Sequence, residues 1–164
     1  MRKILFLFWL FANLITAVHA QQYTAGYKSF NDSVFAPGDK ILAPEIIFSI
    51  DGGQRVLPEY EDSLKVIADF LKDHPGMRIE IGAHTDIRGD SLYNDALSHR
   101  HARSVKEVLV SLYEIDPARI EIKGYGEQQP LIPEKETDAA PTKELQEAMH
   151  RINRRVEVKI IQVQ

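Results

Sequence analysis

The stretch Met77–Val105, MRIEIGAHTDIRGDSLYNDALSHRHARSV, decides how the rest of the chain is read. Ile79 and Ile81 alternate with Arg78, Glu80 and Gly82, the two-residue period of a strand with one buried face. The strand runs out at His84-Thr85-Asp86. A turn follows, in which Gly89 is free to take positive φ and Asp90 or Ser91 is available as a helix cap. The helix stripe then reads Tyr93, Leu97, Val105, Val108 or Leu109, and Leu112. In open α/β-type sheets, ligands sit outside the carboxyl ends of strands, beside the following helix. Asp86 lies at such an end and is the first candidate for a binding residue.

Two later segments repeat the strand's grammar. Arg119-Ile120-Glu121-Ile122-Lys123 and Arg155-Val156-Glu157-Val158-Lys159-Ile160 both place Ile or Val on one face and charges on the other. A sheet covered on both faces would read as continuous apolar runs. The alternation therefore predicts an α+β, two-layer fold with helices on one face and a solvated, charge-paired face opposite.

Working toward the N-terminus, Ile46–Ile50 reads as the first strand, ended by Asp51-Gly52-Gly53. A helix follows from Pro58, with Glu59, Glu61 and Asp62 at its positive end and the stripe Tyr60, Leu64, Ile67 or Ala68, Leu71. It stops near Asp73-His74-Pro75-Gly76. Beyond the third strand, residues 126–142 form a polar loop with Pro130, Pro133 and Pro141. Thr142 then caps a short helix whose Leu145 and Met149 face inward. The predicted order is βαβαβ(α)β, a mixed four-stranded sheet.

The first twenty residues stand apart. Arg2 and Lys3 precede an apolar run, and Val18-His19-Ala20 offers small residues at a cleavage site, so residues 1–20 read as an export signal cut after Ala20. An uncleaved anchor is the alternative. Residues 21–42 read as an extended leader. Its Tyr23, Tyr27, Phe30 and Phe35 either cover the domain's own surface or dock on a partner. The domain proper is expected over residues 43–164.

The central stretch also carries a resemblance. Gly82-x-His84-Thr85-Asp86-x-x-Gly89-x-x-x-Tyr93-Asn94-x-x-Leu97-Ser98-x-Arg100-x-Ala102-x-x-Val105 resembles the core motif of OmpA-like peptidoglycan-binding domains. Gly124-Tyr125-Gly126-Glu127-x-x-Pro130 and Asn153-Arg154-Arg155-Val156-Glu157-Val158 resemble two later motifs of that family, in the right order. The resemblance implies non-covalent binding of the diaminopimelate-containing stem peptide of peptidoglycan, in the periplasm at the outer membrane or cell wall. It implies no enzyme activity and no cofactor.

Diaminopimelate ends in an ammonium and a carboxylate, so its site needs a carboxylate and a cation close together. The resemblance assigns Asp86 to the ammonium. It expects an arginine just before Ala102 for the carboxylate, where this chain has His101. Three readings stay open. His101 serves when protonated, with affinity that varies around its ordinary pKa of about 6.5. Alternatively, Arg100, Arg154 or Arg155 supplies the cation. In the third reading the site is weakened and the domain is an interaction module for an outer-membrane or envelope protein. Asn94 faces the same crevice, and Thr85, Ile87 and Arg88 line its rim.

Other classes are disfavoured. Removing residues 1–20 leaves 18 basic residues against 24 acidic ones, the wrong balance for a nucleic-acid binder. The chain has no cysteine and therefore no disulfide or thiol chemistry. His84, Asp86, His99 and His101 suggest a zinc site, but residues two apart on a helix point about 200° from each other.

Overall fold

The computed structural model describes residues 24–48 and 55–164. The expected export signal, Tyr23 and residues 49–54 lie outside them. Four strands form one mixed sheet: β1 (Lys40–Leu42), β2 (Arg78–His84), β3 (Ile120–Gly124) and β4 (Arg155–Gln162), in the spatial order β1-β4-β2-β3. Strands β2 and β3 are parallel and every other pair is antiparallel. The helices are α1 (Glu61–Asp73), α2 (Ser91–Ser111), α3 (Glu134–Asp138) and α4 (Lys143–Asn153).

The strand grammar builds the core as expected. Register places Ile79 beside Ile120 and Ile160, and Ile81 beside Ile122 and Val158. Against this face pack Leu64, Ile67 and Leu71 of α1 and Ala102, Val105 and Leu109 of α2, all fully buried. Pro58 opens a 3-10 turn that leads into α1, with Glu59, Glu61 and Asp62 at its start. Asp90 caps α2 by accepting from the Tyr93 amide at 3.0 Å, and Thr142 caps α4 by accepting from Leu145 at 3.2 Å. Arg119 donates to the carbonyls of Leu71, His74 and Met77, neutralising the negative end of α1.

Two expectations are corrected. The first strand among the described residues is Lys40–Leu42, inside the segment read as a leader. Of the expected strand Ile46–Ile50, Ile46 and Ile47 lie in no strand, Phe48 makes an isolated bridge to Val56, and the last two residues lie outside the described ones. Ile41 pairs with Val158, so the edge of the sheet is closed by residues preceding position 43. The physical reason is length: three residues carry too little periodicity to be read as a strand.

The second correction concerns the face opposite α1 and α2, which is solvated only in part. Glu157 is 1% exposed and His84 3% exposed, both on that face. Lys40 lies 2.9 Å from Glu157, Arg155 donates to it at 2.8 Å, and the Tyr27 hydroxyl donates to it from the leader. Burial raises the pKa of Glu157, but its contacts with His84 and Tyr27 and the charge of Arg155 outweigh this and hold it well below the usual carboxylate range. Tyr125 stacks on His84, ring planes 3° apart, and covers Gly82, where a Cβ would sit 2.8 Å from its ring. Two of the leader aromatics thus cover the domain's own surface: Phe30 and Phe35 meet Phe70 of α1 edge-on, with centroids 5.3 and 5.1 Å away.

Candidate functional site

Strand β2 ends in a short polar turn that α2 follows at once. Gly89 takes φ +105° there, a conformation that side chains resist. The turn delivers Asp86 to one wall of an open crevice of about 1260 Å³. The segment through Ile46 and Phe48 and the side chain of Arg154 also line it.

The inward face of α2 is rotated by about one position from the expected stripe. Asn94, Ser98, Ala102, Val105 and Leu109 are buried, while Tyr93 and Leu112 are half exposed. Close approach of backbone explains the change. A Cβ on Gly124 would come within 2.5 Å of the His99 amide nitrogen, and one on Gly126 within 2.2 Å of Asp95. Only small polar residues fit between helix and turn, and the Ser98 hydroxyl uses the space to accept from the Gly126 amide at 2.9 Å. This packing holds Asn94 where its amide donates to the carbonyls of Asp86 and Arg88 and, at 2.6 Å, to Glu127.

Asp86 is 6% exposed and sits between two guanidiniums. Arg88 donates to Oδ1 through its amide and Nε, at 3.0 and 3.1 Å, and to Oδ2 at 2.7 Å. Arg154 also donates to Oδ2. Both arginines reach Glu147 on α4, each at 2.8 Å, which completes a closed ring of alternating charge. Burial raises the pKa of Asp86, but the hydrogen bonds from Arg88 and Arg154 prevail and hold it down at about 2.

A model of the OmpA family matches residues 50–144. The chain belongs to the OmpA family. It is 35% identical over 126 residues to outer membrane porin F of Pseudomonas fluorescens, a match covering 76% of this chain and 35% of the porin. With the peptidoglycan-associated lipoprotein of Legionella pneumophila it shares 36% identity over 99 residues, 60% of this chain and 50% of the lipoprotein. The chain thus spans half or less of these relatives. The crystal structure of the peptidoglycan-associated lipoprotein from Burkholderia pseudomallei superposes with a TM-score of 0.54 at 31% identity, covering 70% of this chain and 87% of that one.

Within this OmpA-family domain, Thr85, Asp86, Arg88, Asn94, His101, Arg154 and Arg155 all line the crevice. Ile87 and Arg100 lie elsewhere, and the Arg155 head group is turned to other partners. Ile87 lines a separate cavity of about 300 Å³, with Glu127 and Ile132. Arg100 stands 5.7 Å over the Tyr93 ring, where an exposed cation–π contact holds it. The Arg155 guanidinium turns to Glu157 and to the carbonyls of Asn153 and Gln129. His101 stacks on Phe48, and burial, then the nearby charge of Arg100, lower its pKa to about 4. It is therefore neutral at physiological pH. His84 lies beneath Tyr125 and His99 is exposed, so the histidines and Asp86 do not converge on one point.

Glu147 is not legible in the sequence as a member of this charge ring. It reaches Arg88 across 59 positions, and nothing in its own neighbourhood in sequence signals this. Glu147 and Arg154 both lie beyond the span that the family model matches.

Proposed function

We propose that this domain is exported and binds peptidoglycan non-covalently in the periplasm, holding the zwitterionic end of a diaminopimelate-containing stem peptide at Asp86. The observation that carries this reading is a buried carboxylate set directly against two arginines on the wall of an open crevice. A zwitterionic ligand presents the complementary pair at the same spacing. In this reading Arg154 and Arg88 supply the cation expected at position 101, since the neutral ring of His101 offers no fork to a carboxylate. Thr85 supports a ligand at this wall: its hydroxyl is buried and finds no partner among the described residues, a costly state for a polar group. The names of relatives, a peptidoglycan-associated lipoprotein and an outer membrane porin, point the same way.

The role is binding without chemistry. General acid–base work needs a group poised near neutral pH, whereas Asp86 stays ionised and His101 stays neutral there. The test is retention of the purified protein on peptidoglycan sacculi at about pH 5.5 and about pH 8. Equal retention at both, lost in Asp86→Ala, is expected. No retention at either pH, or undiminished retention of the variant, overturns the proposal.

A further inference from the structure

A second polar cluster lies where the leader meets the sheet. Glu157 Oε1 receives the Tyr27 hydroxyl and two Arg155 donors, Nε at 2.8 Å and Nη2 at 2.7 Å, while Lys40 holds Oε2 at 2.9 Å. An oxygen with two lone pairs is thereby already full. His84 Nε2 stops 3.5 Å from the same oxygen, and neither ring nitrogen has a hydrogen-bond partner among the described residues. The ring lies under Tyr125, whose hydroxyl donates to Glu80 and whose own ring carries Lys123 at 4.7 Å. Burial above all lowers the His84 pKa from 6.5, so the ring is neutral at neutral pH. The Tyr27 contact also holds a turn. The Tyr27 amide donates to the Thr24 carbonyl at 3.1 Å, and Thr24, His84 and Arg155 all line the crevice. Downstream the leader is fixed independently: the Lys28 amide donates to the Lys40 carbonyl at 2.7 Å, and Phe30 and Phe35 rest on Phe70. Residues 24–27 are therefore free to move while the rest of the leader stays in place.

We propose that residues 24–27 are a pH-operated gate at the leader end of the crevice, latched by Tyr27 on Glu157 while His84 is neutral and released when His84 takes up a proton. The inference does not depend on what the crevice binds. Lys40 and Arg155 already set two positive charges against the single carboxylate of Glu157. A protonated His84 adds a third where burial leaves little water to screen it. It also aims a charged donor at an oxygen with no free position. Charge-assisted hydrogen bonds are about twice as strong as neutral ones, so the Tyr27 hydroxyl is the donor that yields. Its departure admits water to the ring, and a hydrated ring has a pKa nearer 6.5. By linkage the open fraction rises as pH falls below 6.5, by about ten-fold per pH unit at most. Glu157 stays ionised over this interval, because its own pKa is held well below the usual carboxylate range.

A nitroxide on the leader tests this. The chain has no cysteine and Ala25 is exposed, so Ala25→Cys carries a single label. Its resonance line shape is read at about pH 8 and about pH 4.5, on either side of the ordinary histidine range. The label is expected to be restrained at the higher pH and mobile at the lower, reversibly. Adding His84→Gln should keep it restrained at both, and adding Tyr27→Phe should leave it mobile at both. His101→Phe should leave the transition in place, which separates the gate from the titration of that ring. A nuclear magnetic resonance titration of the His84 ring supplies a measurement that needs no variant at that position: its midpoint should coincide with that of the label. A label equally restrained or equally mobile at both pH values overturns the inference. So does a transition that survives His84→Gln, or one whose midpoint departs from the His84 titration.

Discussion

The ring of His101 lies flat against that of Phe48, with centroids 3.8 Å apart and planes 6° from parallel. Burial in this stack, and then the charge of Arg100, bring the histidine pKa down from 6.5 to about 4. The unfolded chain takes up a proton near pH 6.5, and the folded protein takes it up only near 4. Stability tied to this ring is thus complete above pH 6.5 and declines as pH falls from there to about 4. The urea midpoint of the wild type should fall across that window. In His101→Phe, which keeps the stack and removes the titration, it should fall less.

Asp86 acts in a lower window. Its pKa is depressed from 3.8 to about 2, so its contribution is full above pH 4 and disappears as pH drops toward 2. Asp86→Asn leaves Arg88, Arg154 and Glu147 with one carboxylate between two guanidiniums. A loss of about 2 kcal/mol is expected near neutral pH, with a flatter acid limb below pH 4. Urea melts of both proteins at stepped pH measure each effect.

Gly124 is the point where β3 touches α2. A methyl there meets the His99 amide nitrogen and Cα at 2.5 and 2.8 Å, backbone atoms that cannot swing aside. Gly124→Ala should therefore cost about 1–3 kcal/mol in a denaturant melt. Because the same contact seats Asn94, sacculus binding should weaken even at temperatures where the variant is fully folded.

The leader should behave as part of the domain. Phe30 and Phe35 both face Phe70, and each truncation to alanine should lower stability by about 1–3 kcal/mol, less than a fully buried phenylalanine because both are only partly buried. Tyr27→Phe removes one donor from the buried Glu157 and should cost about 1–2 kcal/mol. Thermal melts that show no change in any of the three would mean that the leader is a detachable tail.

What could be read from the sequence follows the range of the forces involved. Ile79, Ile81, Ile120, Val158 and Ile160 declare the core because period-two burial is a local pattern. Asp90 and Thr142 declare their helix ends for the same reason. Asp86 is singled out in the sequence by its place at a strand end. Its partners in the charge ring are less legible: Arg154 is one of several candidate cations, Arg88 stands only on the rim, and Glu147 does not stand out at all. The charge ring joins the turn after β2 to α4, and no spacing rule spans that distance. The face read as solvated failed similarly. Glu157 looks like any alternating surface charge until Tyr27, 130 positions away, closes over it. Ile46, Ile47 and Phe48 were expected in a strand but line the crevice, because an apolar run marks burial without saying whether a sheet or a crevice wall receives it.

The strand order has a consequence for the way the fold is reached. Strand β4 is hydrogen-bonded to β1 on one side and to β2 on the other, and it begins at Arg155, long after β2 ends at His84. A chain that emerges N-terminus first has therefore exposed nearly all of its apolar surface before the strand that joins β1 to β2 arrives. Only the parallel β2–α2–β3 unit pairs its strands before then. Late closure by distant pairing is intrinsically slow and leaves unpaired edges in the meantime. The same few residues of β4 and the turn before it complete the sheet, seat the leader through Glu157 and bring Arg154 to Asp86, so assembly of the fold and of the crevice is a single late event.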